Sequence, residues 1–260
     1  MATNLTYLSS TACALLGIDP PEHATAEPRP EIISAAPAKP VERMLIYAPD
    51  AIGYHIIKRY NAELDAVREH APVELELTSM MPSFTPVCFA SLFTGAEPDV
   101  HGIGKYEKPQ LKIDTFFDAV TRSGKRIALA AVADSSMDTI FRAREYDHFT
   151  EIYDPYVTHR ARKLIEANEH DVVVAYHQQY DDHLHLTDPF SPEALHAFRL
   201  HLLSFARLAR HCAKHWKGHS YALAFTPDHG AHYDEEKGMG YHGTDSPEDQ
   251  ELIHFWGFGG

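Results

Sequence analysis

The segment Arg43–Asp50, with the sequence RMLIYAPD, is a short apolar run followed directly by a proline and a carboxylate. Two further runs have the same character, DVVVAY at residues 171–176 and YALAF at residues 221–225. Apolar runs of about five or six residues are typical of strands that are buried on both faces. The pattern therefore predicts a sheet that lies between layers of helix.

The segments around these runs alternate between strand and helix character. Strands are also predicted at residues 73–78, 126–132 and 252–258, and helices at residues 4–16, 52–70, 85–93, 115–122, 157–169 and 192–216. Short apolar strands separated by helices indicate an α/β fold, with a doubly wound, mostly parallel sheet and helices on both faces. In such sheets ligands bind beyond the carboxyl ends of the strands.

Six prolines between residues 20 and 40 set the beginning of the chain apart. Because proline interrupts regular elements, we expect a proline-rich arm over residues 1–40 and a separate α/β domain over residues 41–260. The arm could pack on a neighbouring copy, which makes a homo-oligomer one expected assembly.

Composition restricts the partners that this chain can have. It has 23 Lys and Arg against 37 Asp and Glu, a net charge of −14, which argues against a nucleic-acid duplex as partner. A small phosphorylated substrate stays compatible, since bound metal ions can supply positive charge locally.

The cysteines and the apolar runs bear on the compartment. Three widely spaced cysteines form no disulfide framework, which fits a reducing, cytoplasmic location. No apolar stretch is long enough for a membrane span, and no basic residue precedes the first apolar run, so we expect neither membrane insertion nor a signal peptide.

Polar side chains follow the predicted strands. Asp50 follows the first strand, Thr85 opens a helix after the second, and the others are Asp181, His185, Asp228, His229 and His242. Taken singly, an Asp after a strand is usually a helix cap or turn residue, and a lone His is usually a surface residue. As a set at one sheet edge they would repel or stay unpaired unless cations lay between them.

The spacing of these residues bears on the metal. Asp181 and His185 are four residues apart and share a face if the segment is helical, although His183 competes with His185. Mixed oxygen and nitrogen ligands suit zinc or manganese better than magnesium or calcium.

Four segments in order resemble the type I phosphodiesterase/nucleotide pyrophosphatase branch of the alkaline phosphatase superfamily, over about residues 43–260. They are PSFTPVCFASLFTG at 82–95 with EPDVHGI at 97–103, DDHLH at 181–185 with PFSPE at 189–193, PDHG at 227–230 and HG at 242–243. The register of the second segment selects His185 over His183.

The resemblance implies two divalent metal ions, zinc first and manganese as the alternative, and assigns a role to each ligand. Asp50, Thr85, Asp228 and His229 would hold one ion, and Asp181, His185 and His242 the other. Thr85 would be the nucleophile in the cleavage of phosphodiester or pyrophosphate bonds, through a phosphothreonine intermediate.

Other readings of the same residues stay open at this point. A phosphomonoesterase or metal-dependent phosphomutase uses the same core, and a catalytically idle member of the fold could bind a phosphorylated ligand. Cys88 stands where the family pattern has an asparagine that binds a phosphoryl oxygen, so we expect Cys88 to contact the substrate as a weaker donor. His101, Lys105 and Tyr106 line the pocket or are ordinary loop residues.

Overall fold

The computed structural model describes residues 3–260, and a seven-stranded sheet forms its centre. The strands of this sheet are β1 (Arg43–Pro49), β2 (Val73–Thr78), β3 (Ile127–Val132), β4 (Asp147–Glu151), β5 (Val172–His177), β6 (Tyr221–Phe225) and β9 (Glu251–Gly259). A separate hairpin pairs β7 (His232–Asp234) with β8 (Met239–Tyr241).

Strand order in the large sheet is β2-β9-β6-β1-β5-β3-β4. Only β9 runs against its neighbours β2 and β6, and the other pairings are parallel. The predicted mostly parallel α/β sheet is confirmed.

Helices cover both faces of the sheet. They are α1 (Tyr7–Leu16), α2 (Pro30–Ile33), α3 (Tyr54–Arg59), α4 (Asp65–Arg68), α5 (Thr85–Thr94), α6 (Pro98–His101), α7 (Phe116–Arg122), α8 (Ser136–Ile140), α9 (Asp154–Ala167), α10 (Gln179–Leu184), α11 (Pro192–His215) and α12 (Pro247–Gln250). None of these helices in residues 3–260 combines the length and the apolar character that crossing a bilayer requires.

Two apolar cores follow from the alternation of side chains along the strands. Met44 and Ile46 of β1 belong to the core beneath α1, α5 and α7, whereas Leu45 and Tyr47 belong to the core beneath α9 and α11. Both cores are made of fully buried side chains, so the sheet is covered on each side and its carboxyl edge is left for chemistry.

Helix α1 lies within the first core rather than on the surface. The Tyr7 hydroxyl lies 2.8 Å from His254 Nδ1 and accepts a hydrogen bond from Trp256 Nε1, and the Ser9 hydroxyl donates to the carbonyl of Leu92 in α5. The division of the chain at residue 40 stays a prediction, but the helix before that point shares the core of the sheet.

The single helix predicted over residues 52–70 is wrong. The structure has α3, a 3₁₀ turn at Asn61–Leu64 and α4, because Tyr60 leaves the helical region at φ −113° and ψ 36°. The Arg68 guanidinium donates to the carbonyl of Asn61 at 2.8 Å, so the break leaves this carbonyl with a partner.

Candidate metal centre

Residues from three parts of the chain meet at the carboxyl edge of the central strands and form what we call the first cluster: Asp50, Thr85, Asp228 and His229. Asp50 follows β1, Thr85 begins α5, and the other two follow β6. His229 Nε2 lies 3.2 Å from Asp50 Oδ1 and 3.4 Å from Asp228 Oδ2. Thr85 Oγ1 lies 3.2 Å from His229 Nε2 and 3.4 Å from Asp50 Oδ1.

The second cluster consists of Asp181, His185 and His242. Asp181 lies on α10, His185 follows the last residue of that helix, and His242 comes directly after β8. Asp181 Oδ1 lies 3.3 Å from His185 Nε2 and 3.4 Å from His242 Nε2. The helical segment expected between Asp181 and His185 is therefore present, and both side chains point to one side of it.

The two clusters lie next to each other. The rings of His229 and His242, one from each cluster, stack with centroids 4.0 Å apart. All seven side chains that the sequence picked out as metal ligands thus meet at one place, although they are spread over residues 50–242.

Each histidine of the two clusters donates its Nδ1 proton to a backbone carbonyl. The acceptors are Gly230 at 2.9 Å for His229, Gly240 at 3.0 Å for His185 and Ser83 at 2.8 Å for His242. With Nδ1 engaged in this way, Nε2 of each ring faces its cluster, which is the orientation of metal-bound histidines.

Unpartnered atoms in both clusters fit a cation. Asp228 Oδ2 and Asp181 Oδ1 are buried without a hydrogen-bond partner among residues 3–260. His185 Nε2 and His242 Nε2 lie 3.1 Å apart, a distance at which two lone pairs need a proton or a cation between them. Carboxylate oxygens and imidazole nitrogens are a ligand set that divalent zinc or manganese accepts.

Electrostatics without a cation show the same demand for positive charge. Burial lowers the pKa of His229, but the carboxylates of Asp228 and Asp50 outweigh it and raise this pKa to about 10. Burial, reinforced by the charge of Asp50, raises the pKa of Asp228 well above its ordinary value. The first cluster thus holds on to protons at the positions where a cation would take their place.

The second cluster shows the opposite shift at its carboxylate. Burial would raise the pKa of Asp181, but the neighbouring rings of His185 and His242 outweigh burial and hold this pKa far below its ordinary value. Burial also opposes a charged His185, yet Asp181 raises the pKa of that ring. Asp181 is therefore ionised and available as an anionic ligand at any physiological pH.

The segment Ser83–Thr85 links the two clusters. The Ser83 carbonyl accepts from His242, the Ser83 hydroxyl accepts from the Gly243 backbone N–H at 3.0 Å, and Thr85 lies in the first cluster. Gly243 has φ +105°, and a Cβ there would come within 2.4 Å of the Phe84 ring. Only glycine fits this position, which keeps His242 next to the start of α5.

Tyr176 is a residue of this site that the sequence analysis missed. Its hydroxyl donates to Asp50 Oδ2, and burial together with Asp50 raises the pKa of Tyr176 well above its ordinary value. Tyr176 therefore stays a donor and fixes the Asp50 carboxylate, leaving Oδ1 toward Thr85. In the sequence, Tyr176 is marked only by its position at the end of the strand DVVVAY, and apolar residues also occur at such positions.

Cys88 is not brought into the pocket. Its side chain is fully buried, and Sγ packs 3.2 Å from the hydroxyl of Ser79, which donates to the backbone carbonyl of Asp228 at 2.7 Å. Cys88 thus lies behind the first cluster, where it supports the loop that carries Asp228.

Of the open loop residues, one lies near the site. His101 is buried against the Ser91 hydroxyl at 2.9 Å, and Lys105 is exposed and paired with Glu107. Tyr106 packs edge-to-face on Phe84, which in turn packs on His242. His183 lies on α10 outside both clusters, in agreement with the choice of His185.

The chain thus has a mostly parallel α/β sheet with helices on both faces and two Asp/His clusters at the carboxyl edge of the sheet, and solved structures share this fold. Phosphonoacetate hydrolase from Sinorhizobium meliloti 1021, with phosphonoformate bound, superposes with a TM-score of 0.55 at 19% identity, over 74% of this chain and 57% of that one. Its complex with phosphonoacetate gives 0.55 at 18% identity, over 74% and 57% of the two chains.

A murine protein has the same fold. An inactive variant of ectonucleotide pyrophosphatase/phosphodiesterase 5, in complex with AMP, gives a TM-score of 0.58 at 15% identity, over 75% of this chain and 59% of that one. No family model matches the sequence, and no curated protein matches it. At this identity the likeness concerns the fold, and this chain spans less than three fifths of either relative's length.

Proposed function

We propose that this protein is a two-metal phosphohydrolase that cleaves phosphodiester or pyrophosphate bonds through a covalent phosphothreonine at Thr85. The observation that carries the proposal is the place of Thr85 Oγ1, which lies in the first cluster while the second cluster adjoins it across the stacked rings of His229 and His242. The likeness in fold to two proteins described as a hydrolase and as a pyrophosphatase/phosphodiesterase supports it.

The residues of each cluster would hold one divalent cation. Asp50, Thr85, Asp228 and His229 would bind the first, and Asp181, His185 and His242 the second. When bound, such cations lower the pKa of a coordinated hydroxyl and neutralise charge on phosphoryl oxygens and on the departing oxygen. The proposed substrate is a small phosphorylated molecule. The chain carries a net charge of −14, so the two cations would supply the local positive charge that a phosphoryl group needs.

Thr85 carries out the covalent chemistry in this proposal. Its Oγ1 releases a proton to solvent and attacks phosphorus in line, forming the Oγ1–P bond while the bond from phosphorus to the leaving oxygen breaks, and the leaving oxygen keeps the electron pair. Water then bonds to phosphorus as the Oγ1–P bond breaks, and Oγ1 regains a proton from solvent as the phosphoryl product leaves. Because Thr85 begins the ten-residue helix α5, its backbone N–H would point toward the phosphoryl oxygens.

A comparison of two chromogenic substrates tests the proposed reaction. We expect metal-dependent turnover of bis-(p-nitrophenyl) phosphate to exceed that of p-nitrophenyl phosphate, and a chelator to abolish it until Zn²⁺ or Mn²⁺ is restored. A strong preference for the monoester would replace the diesterase by the phosphomonoesterase or phosphomutase alternative. Metal binding without turnover of either substrate, or of phosphonoacetate, would support the idle ligand-binding alternative.

Tyr106 provides a prediction about substrate binding at the pocket mouth. Burial, with the nearby carboxylates of Asp50 and Asp181, raises the pKa of Tyr106, so its hydroxyl stays a donor at neutral pH. We expect Tyr106→Phe to raise KM roughly 3- to 10-fold through the loss of a hydrogen bond of about 1 kcal/mol, with the edge-to-face packing on Phe84 retained. Steady-state kinetics measure it, and an unchanged KM would make Tyr106 an ordinary loop residue.

A further inference from the structure

The helix that carries Asp181 is too short to hold its own position. α10 has six residues, and a helix of this length is not stable in isolation because its nucleation is costly. Asp181 and His185 must nevertheless stay where they meet His242 if the second cluster is to bind a cation. The surroundings of α10 therefore decide where these two ligands lie.

Two buried side chains accept hydrogen bonds from three successive backbone N–H groups at the start of α10. Asp154, the first residue of α9, accepts from Gln178 at 3.0 Å and from Gln179 at 2.9 Å. His201 of α11 accepts from Tyr180 through Nε2 at 3.1 Å. These are the N–H groups that lack a partner within a helix, so α10 is anchored to both neighbouring helices.

His201 connects this anchor to the strand that delivers Asp50. Its other ring nitrogen, Nδ1, lies 3.2 Å from the hydroxyl of Tyr47, a fully buried residue of β1. Burial lowers the pKa of His201 well below its ordinary value, so the ring is neutral, and because Nε2 accepts, Nδ1 carries the proton. His201 is thus fixed as an acceptor toward α10.

A cavity of about 300 Å³ lies on this side of α10 and is lined by residues that include Asp154, Gln179 and His201. Gln179 and Asp181 are two residues apart, about 200° around the helix, so the side facing the cavity is opposite the side facing the second cluster. The first turn of α10 is held by the hydrogen bonds that it donates to Asp154 and His201 and by the buried Tyr180 ring, which packs on Phe198.

We propose that Asp154 and His201 are positioning residues that set the affinity of the second cluster for its cation through the start of α10. This inference rests on the proposed function, since it takes Asp181, His185 and His242 as metal ligands. Neither residue belongs to either of the two clusters. Mutation of groups that orient metal ligands through hydrogen bonds typically changes metal affinity by roughly 10- to 100-fold.

A Co²⁺ titration of the metal-free protein, followed by visible absorption and calorimetry, tests this inference. The isosteric Asp154→Asn variant keeps one acceptor oxygen and presents an amide group to the other backbone N–H. We expect wild type to bind two Co²⁺ ions, and Asp154→Asn to bind one of them roughly 10-fold or more weakly with the other affinity unchanged. If Asp154→Asn bound each of the two Co²⁺ ions as tightly as wild type does, the inference would be overturned.

Asp138→Asn is the matched control. Asp138 is equally buried and accepts hydrogen bonds from Thr150 and from a backbone N–H, but its partners lie at the β4 edge of the sheet. We expect this variant to lose stability while both Co²⁺ affinities stay as in wild type. If Asp138→Asn weakened one Co²⁺ affinity as much as Asp154→Asn does, the effect would be a general result of destabilisation, which would contradict the positioning role.

A second variant keeps the test decisive if Asp154→Asn does not fold. His201→Gln retains an acceptor for the Tyr180 N–H, but the amide oxygen lies at a different distance from the backbone of α11 than the imidazole Nε2 does. We expect this variant to weaken the same Co²⁺ site. Unchanged affinities in this variant would overturn the role of His201. If wild type binds fewer than two Co²⁺ ions, the proposed two-metal function fails. If wild type and both variants bind two Co²⁺ ions with the same affinities, only the positioning role of Asp154 and His201 fails.

Discussion

Thr85→Ala is expected to reduce kcat by on the order of 10⁴-fold while the protein stays folded and binds metal in the second cluster unchanged. The variant lacks the oxygen that attacks phosphorus, and loss of a nucleophile removes most of the rate enhancement that covalent catalysis supplies. Among residues 3–260 the close polar neighbours of Thr85 Oγ1 are Asp50 and His229, so its removal leaves the core packing beneath α5 in place. Initial rates with bis-(p-nitrophenyl) phosphate measure the effect.

Thr85→Ser is the control for this prediction. Serine keeps the hydroxyl and loses only a methyl group, so we expect the variant to retain measurable turnover. Acid quenching during turnover of a ³²P-labelled substrate should leave label on residue 85 in wild type and in Thr85→Ser. If Thr85→Ala hydrolyses the substrate within 10-fold of wild type, water attacks directly and no phosphothreonine forms.

Most of the sheet could be predicted from the sequence. β2 and β6 lie where the sequence placed them, β1 and β3 differ by one residue at one end, and β5 is shifted by one residue at both ends. The central strands are continuous apolar runs, and β2 alternates apolar and charged residues, and both patterns are typical of strands. β4, with the sequence DHFTE, was missed, because it is an edge strand whose side chains are half-buried or exposed and it has neither pattern.

The prediction of helices was limited at their ends. The helix predicted from residue 157 begins at Asp154, because Pro155 fits the first turn of a helix and does not interrupt it. The interrupted segment over residues 54–68 has apolar spacing that suits one helix, and its break at Tyr60 depends on contacts such as that of Arg68 with the Asn61 carbonyl. Contacts of this kind are fixed by the tertiary fold and leave no periodic signal.

The proposed ligand residues could be picked from the sequence because they lie in the segments after predicted strands, which this fold brings together, and because the family resemblance supplied their register. The residues that orient them could not. Tyr176, Asp154 and His201 act through hydrogen bonds to Asp50 and to the backbone of α10, and each occupies a position where a buried apolar side chain or a helix cap is equally common. Only the three-dimensional arrangement separates these roles.

Asp228→Asn is expected to reduce kcat/KM by on the order of 10³-fold and to leave the metal-free protein as stable as wild type or more stable. The activity falls because the variant loses an anionic ligand, with Asp228 Oδ2 the buried oxygen that has no hydrogen-bond partner among residues 3–260. In the metal-free protein a single His229 ring stands between the carboxyl groups of Asp50 and Asp228, so the buried first cluster acquires an excess of negative charge when both carboxyl groups are ionised. Asparagine removes that excess without changing the shape.

The raised pKa of Asp228 determines how the stability of the metal-free protein changes with pH. Burial, with Asp50, raises the pKa of Asp228 in the folded state, so the folded protein binds more protons at this group than the unfolded chain does. The contribution of Asp228 to the free energy of unfolding is then fully present below the unfolded pKa of about 4 and is lost as pH rises through the folded pKa. Metal-free wild type should therefore lose more stability than Asp228→Asn as pH rises from 5 to 8.

Thermal unfolding with and without Zn²⁺ measures both parts of the prediction. A cation at 100 times its Kd stabilises a folded protein by about 2.7 kcal/mol, so wild type should gain a clear increase in Tm that Asp228→Asn largely loses. Asp171→Asn is a suitable control, because that carboxylate pairs with Arg43 at the opposite end of β1, away from both clusters. A metal-free Asp228→Asn protein that melts well below wild type at pH 8, with the Zn²⁺ increase intact, would mean that Asp228 stabilises the fold as a hydrogen-bonding side chain and that the first cluster does not hold a cation.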